Sequence, residues 1–180
     1  MPKSELNALI ALLDDPDKEV FNAVSEGIIN HGLGVVSILE QTWESSSSEL
    51  AQRRIESLIH TIQLNGTIEN LTQWVEAGAS DLLEGAYCLS LYQYPDNHYA
   101  AIEKAIDKIR SDVWLELNEN LTALEKVKIL NHIFYDIHGF TSNTANFFAP
   151  QNNFINQVIE TKKGGPITLA ILYSAVAQRL

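Results

Sequence analysis

The chain holds a single cysteine, Cys88. No internal disulfide can form, and a metal site built from several thiolates is excluded. Cations are also scarce: 12 Lys and Arg stand against 23 Asp and Glu, for a net charge of −11. Only Arg53-Arg54 and Lys162-Lys163 form compact basic pairs. Binding to DNA, RNA or an anionic membrane draws on a basic surface that displaces phosphate counterions. Neither nucleic acid nor a membrane is therefore expected as a partner. No apolar run approaches the roughly 20 residues of a membrane span. The opening stretch "MPKSELNALIALLDD" has a short apolar run, no cleavage-site pattern, and acidic residues directly after it. The expectation is a soluble, cytoplasmic protein, in which "NGT" at 65 and "NLT" at 70 and 120 are chance matches to a glycosylation pattern.

What is present can build a core. Hydrophobic residues make up 46% of the chain and charged residues 19%, ordinary for a globular protein. No convincing alternating strand pattern appears anywhere. The fold class expected is all-α in the residues present. "ELNALIALL" reads as a short amphipathic helix ended by Asp14-Asp15-Pro16. Asp15 is positioned to cap the next helix with Pro16 as its first residue, where a missing N–H costs nothing. That helix places Val20, Phe21, Val24 and Ile28 on one face, with Gly32 and Gly34 at its end. "VVSILEQTW" is its partner.

The unit then recurs at an offset of thirty, pairing Glu19 with Glu49, Val20 with Leu50, Ile28 with Leu58 and Ile29 with Ile59. The serine run 45–48 supplies caps, and "TIENLTQWVEAG" takes the place of the partner helix, with Trp74 near the position of Trp43. Paired helices, unit length and the "LLDDPDKEV" turn resemble HEAT-type repeats, although the second turn has no Asp-Pro. His31 and His60 read as helix-end residues favoured by the dipole, and the two tryptophans as core. The domain reading is 1–79 HEAT-like helical hairpins and 80–180 a second domain.

From residue 80 the style changes. Ser80 is a plausible cap for "DLLEGAYCLSLYQYPD". The next helix spaces Ile102, Ile106, Ile109 and Val113 by three or four. Thr122 and Glu125 form a capping box. The helix they open carries an apolar face of Leu124, Val127, Ile129, Leu130, Ile133, Phe134 and Ile137, and Gly139 closes it.

The most informative stretch is "FTSNTANFFAPQNNFINQVIETKKGGPITL". It is a loop dense in Asn, Ser, Thr and aromatic residues, then a short helix, then Gly164-Gly165-Pro166. Loops this long inside a domain are usually functional or packed by their own side chains. Asn143, Phe148, Pro150, Asn152, Gly164, Gly165, Pro166 and Thr168 are the candidate functional residues. Together with Leu130, Asn131, Phe134, Gly139, Phe140, Val158, Ile159, Ile167, Leu169, Tyr173, Ala177, Arg179 and Leu180, they resemble the SirB-type, transglutaminase-like proteins of bacteria. That module also occurs in a eukaryotic F-box protein. The resemblance covers about 80–180 and implies the helical half of a transglutaminase-like core that lacks its strands. The family pattern continues with a glycine and strands bearing a histidine and an aspartate, so the resemblance implies a truncated domain.

Transglutaminase-like folds carry a nucleophilic cysteine at the start of the core helix, where free N–H groups and the dipole stabilise a thiolate. Here the corresponding position falls on or next to Pro166. Proline is an excellent first helical residue and no nucleophile, so the geometry survives without the chemistry. Thr168 would need an adjacent base, and no histidine follows His138; it reads as a residue of the first turn. Cys88 lies inside the apolar pattern "GAYCLSLY" and reads as a small hydrophobe. His132 and Asp136 share a helix face, with His138 turned away, and a metal would need a further ligand. A surface His132–Asp136 pair is the plainer reading.

No catalytic residue, metal or cofactor is expected. The leading functional expectation is a non-catalytic protein-interaction or regulatory module that takes a protein or peptide partner. The alternative is a hydrolase or acyl-transferase whose remaining active-site residues lie beyond Leu180. A role in gene expression, for which some family members are named, would act through proteins, since the acidity argues against direct DNA contact.

Overall fold

The computed structural model describes residues 3–180, with side chains from Leu6 onward. It is almost wholly helical, as the patterning predicts. It divides into two compact units, one ending at Asn70 and one spanning Leu71–Leu180. Among the described residues no helix is long and apolar enough to cross a membrane.

The first unit begins with α1 (Lys3–Ala11), a single 3-10 turn, and α2 (Lys18–Ile29). The cap of α2 is Asp17 rather than Asp15: its carboxylate accepts the Glu19 amide at 2.8 Å. The Asp15 carboxylate is already occupied by the Asp17 amide, also at 2.8 Å, a side-chain turn that keeps Pro16 outside the helix. Helix α3 (Val36–Ser45) and the part of helix α4 (Glu49–Glu76) up to Asn70 complete the unit. Val24, Ile28, Leu39, Ile55 and Ile62 form its buried centre. Arg54 lies with its guanidinium 4.4 Å over the Phe21 ring and donates to the Leu13 carbonyl at 2.9 Å. One of the two basic pairs in the sequence is thus partly taken up in packing.

The second hairpin expected from the thirty-residue offset is not formed. Helix α4 runs unbroken for 28 residues. A Cβ on Gly66 would sit 2.9 Å from Leu33 Cδ1, so the glycine marks a close approach of a side chain to the helix and not a turn. His60 therefore lies mid-helix, while His31 does follow the end of α2. Trp43 is not core but 37% exposed.

In the second unit, α5 (Leu82–Ser90) is capped by Asp81, one residue later than expected. Its carboxylate accepts from the amides of Leu83 at 2.8 Å and Glu84 at 3.3 Å. Helix α6 (Tyr99–Glu116) buries Ile102, Ile106, Ile109 and Val113, as their spacing predicts. Helix α7 (Ala123–Asn131) starts on the capping box of Thr122 and Glu125 and passes into a π-helical turn, His132–Ile137. Its long apolar face is only partly used. Leu130, Ile133 and Phe134 are buried, whereas Leu124, Val127 and Ile137 are exposed. The wider π turn redirects the side chains of 132–137 relative to an α-helical count, and Phe134 stacks on Phe140 at 4.5 Å.

Two two-residue strands, β1 (Thr141–Ser142) and β2 (Lys163–Gly164), pair in parallel on either side of α8 (Ile155–Thr161). Buried Ser90 accepts the Ile155 amide at 3.1 Å and so ties α5 to α8. The chain then enters α9 (Pro166–Ala177). That helix is apolar on all sides, the signature of a helix surrounded by protein. It packs on α5, α6 and α8. Near its start Ile167 is exposed, while Thr168, Leu169, Leu172, Ala175 and Val176 are buried.

Candidate functional site

The start of α9 is built by the asparagine-rich loop. Asn152 is 97% buried by its 3% exposure and makes every bond its side chain can usefully make. Its amide nitrogen donates to the carbonyls of Asn146 at 2.7 Å and Phe147 at 3.0 Å. Its side-chain oxygen accepts from the Asn143 amide group at 2.8 Å. Asn143 in turn accepts the Asn146 backbone amide at 3.2 Å and donates its own backbone N–H to the Gly164 carbonyl at 3.2 Å. Finally the Gly165 N–H donates to the Asn152 carbonyl at 2.9 Å. Asn143, Asn152, Gly164 and Gly165 therefore form one network, as buried polar groups must.

Gly164 is required by packing. A Cβ there would lie 2.7 Å from Val158 Cγ1. Gly165 is the extended residue before α9, and Pro166 is its first helical residue. Pro150 opens a short 3-10 turn, Pro150–Asn153, that brings Asn152 beneath the loop. Phe148 takes no part in this scaffold. It is 93% exposed, and among the described residues its one ring contact is with Phe147, edge to face at 5.2 Å.

Two pockets flank the start of α9. One, of about 570 Å3, is lined by Tyr135, Asp136, Thr141, Ser142, Pro166 and Ala170 among others. It is the flank onto which Pro166 faces, and it holds no thiol. His132 Nδ1 lies 2.9 Å from Asp136 Oδ2, both largely exposed. His138 is not with them; its Nε2 is 2.8 Å from Asp112. Among the described residues no group of three His, Cys, Asp or Glu side chains could hold a metal. Lys162, of the second basic pair, holds its ammonium 4.6 Å over the Phe140 ring, and burial, aided by Lys108, lowers its pKa.

The other pocket, of about 390 Å3, was not legible in the sequence. Leu71 and Trp74 from the last turns of α4 face Gly85 and Leu89 of α5 across it, and Thr168 and Ile171 of α9 close it. Its shape depends on Gly85, where a Cβ would meet the Trp74 ring at 2.8 Å. The Trp74 indole N–H is spent on the Asp81 carbonyl at 2.8 Å, which fixes the ring against α5. Cys88 is elsewhere and buried; burial, reinforced by Glu84, raises its thiol pKa.

A profile of the transglutaminase-like superfamily matches residues 100–180, from the first turn of α6 through α9. The chain is also similar to UPF0162 proteins from two strains of Xylella fastidiosa, Temecula1 and 9a5c. Each is 29% identical over 103 residues, covering 55% of this chain and 35% of the relative. A UPF0162 protein of Pasteurella multocida is 29% identical over 65 residues, 36% of this chain and 25% of that protein. The matched stretch thus spans about a third of the Xylella relatives' length. No solved structure matches.

Proposed function

We propose that residues 71–180 form a non-catalytic protein-interaction module on a degenerate, SirB-type transglutaminase-like core, and that a protein or peptide partner docks on the asparagine-rich loop. One observation carries the reading: Phe148 is 93% exposed on a loop whose interior is closed by the satisfied, buried Asn152. An aromatic side chain held out on an ordered loop has already lost the backbone freedom that binding would otherwise cost, and such anchors dominate interface energetics. Phe147 and Ile167 stand exposed in the same part of the chain. Support for the non-catalytic half comes from Pro166 at the start of α9 and from a single cysteine whose thiol pKa is raised.

The test replaces Phe148 with a photo-crosslinking phenylalanine analogue in cells, with the same analogue at Trp43 as control. A discrete adduct specific to position 148, lost when Phe147 is changed to Ala, is the expected result. Identical adduct patterns at both positions overturn the docking assignment. Amine incorporation into a protein substrate, or ester hydrolysis, by the purified chain would overturn the non-catalytic half.

A second reading, hydrolase or acyl-transferase, is favoured by the His132–Asp136 pair beside the Pro166 pocket. An Asp that accepts a hydrogen bond from Nδ1–H fixes the tautomer whose Nε2 is free to act as a base. Among the described residues, however, no hydroxyl is hydrogen-bonded to His132. Turnover abolished by His132→Ala would establish this reading in place of the first.

A further inference from the structure

The pocket between Trp74, Gly85 and Thr168 has a use that neither the loop nor the Pro166 flank supplies. Its volume, about 390 Å3, falls within the roughly 300–1,000 Å3 of small-molecule sites. In a chain of net charge −11, none of its lining residues is ionisable. Its walls are aliphatic apart from the Trp74 ring and the uncharged amide of Asn153, and the ring's own donor is already paired inside the protein. The floor carries one polar group of a different standing. Thr168 is 96% buried by its 4% exposure, lines the pocket, and its hydroxyl makes no hydrogen bond among the described residues. The hydroxyl is therefore open to the pocket, where it can serve as donor or acceptor alike. The exposed side chains of Leu82, Leu89 and Ile167 stand at the pocket wall and leave it open.

We propose that this pocket binds a neutral small molecule with an apolar chain or ring and a single hydroxyl or carbonyl group, which pairs with Thr168. Charged amphiphiles are disfavoured because no lining group compensates a buried charge. Gly85 makes the site by letting Trp74 lie flat on α5, so Trp74 reports directly on occupancy. The proposal is independent of the docking role given to Phe148.

The experiment uses the full chain with the exposed Trp43 and Trp114 changed to Phe, so that Trp74 alone emits. N-phenyl-1-naphthylamine is titrated as an acceptor of Trp74 fluorescence, and 1-octanol, octanoate and octylammonium compete. The expected result is saturable energy transfer at one site. Displacement by octanol should be about tenfold or more stronger than by either ion. Thr168→Val, which keeps shape and removes the hydroxyl, should weaken octanol about fivefold while leaving n-octane unchanged. Ala86→Leu, which fills the pocket, should abolish transfer, with an unchanged circular-dichroism spectrum showing that the fold is kept. Non-saturable transfer overturns the proposal, as does equal competition by the ions. So does octanol binding unaffected by Thr168→Val, or transfer that persists in a folded Ala86→Leu protein.

Discussion

The backbone oxygen of Asn152 accepts the amide proton of Gly165 at 2.9 Å. Through this bond, a loop residue decides where the last helix starts. The Asn152 side chain adds three further bonds, to Asn143, Asn146 and Phe147. Asn152→Ala removes all three, so the Asn143 side-chain amide and the Phe147 carbonyl lose the partner that ties the loop to the 3-10 turn. A loss of about 2–4 kcal/mol is expected, read as a lower urea midpoint. The Phe148 loop should also become sensitive to protease.

Adjacent glycines should behave oppositely. At Gly164 a methyl group would stand 2.7 Å from Val158 Cγ1 and 3.3 Å from Leu169 Cγ, and Val158 is fully buried. Gly164→Ala should therefore cost about 1–3 kcal/mol from overpacking. At Gly165 the nearest atoms are 3.4 Å away and φ is −74°. Gly165→Ala should change stability by less than about 1 kcal/mol. Paired urea melts of the two variants decide this.

The capping box sets a pH dependence. Hydrogen bonds from the Thr122 hydroxyl, then from its backbone amide, lower the Glu125 pKa. A carboxyl with a depressed folded pKa stabilises the fold above its unfolded pKa, and that contribution is lost as pH falls through the folded value. Thr122→Ala should lower Tm by a few degrees at neutral pH. The difference from the parent should shrink once the medium is more acidic than the carboxylate range, leaving the part due to the Thr122 hydroxyl that accepts the Glu125 amide.

Tyr99 gives the opposite window. Burial first, then the Asp81 carboxylate that accepts its hydroxyl at 3.2 Å, push its pKa up to about 12. The folded state holds this proton more tightly than the unfolded chain. Stability should thus be intact below the ordinary tyrosine range and fall as pH rises from there toward 12. Tyr99→Phe should flatten that alkaline decline, as followed by urea melts at a series of pH values. In the parent, one phenol should titrate late in the ultraviolet difference spectrum.

Cys88 should be inert. Burial raises its pKa, and the thiolate is the reactive form. Ellman's reagent should label it at least about tenfold more slowly in the native protein than in urea, at equal pH. Fast native labelling would show that the Cys88 thiol is neither shielded nor held protonated.

Much of the helical architecture was readable because it follows from local spacing. The face of α6 and the Thr122–Glu125 box each depend on residues within a turn or two of one another. Caps misplaced by one or two residues, at Asp17 and Asp81, show the limit of the same logic. Several acceptors stood side by side, and only the turn geometry chose among them. The break expected near residue 66 failed for a longer-range reason: Leu33 packs onto Gly66, which gives a mid-helix glycine a role without a turn. At the site, Asn143, Asn152, Gly164 and Gly165 were recognisable from the loop's composition and its resemblance. Trp74, Gly85 and Ile171 were not, because they carry no motif and come from three helices distant in sequence.

By itself, the order of residues determined the helical class, the absence of any thiol at the start of α9, and the acidic surface, since these rest on periodicity, identity and charge. Only the tertiary structure decided that a buried asparagine holds Phe148 outward and that an uncharged pocket forms around Trp74. Both arise where chain segments far apart are pressed together, and no local preference encodes which of them will meet.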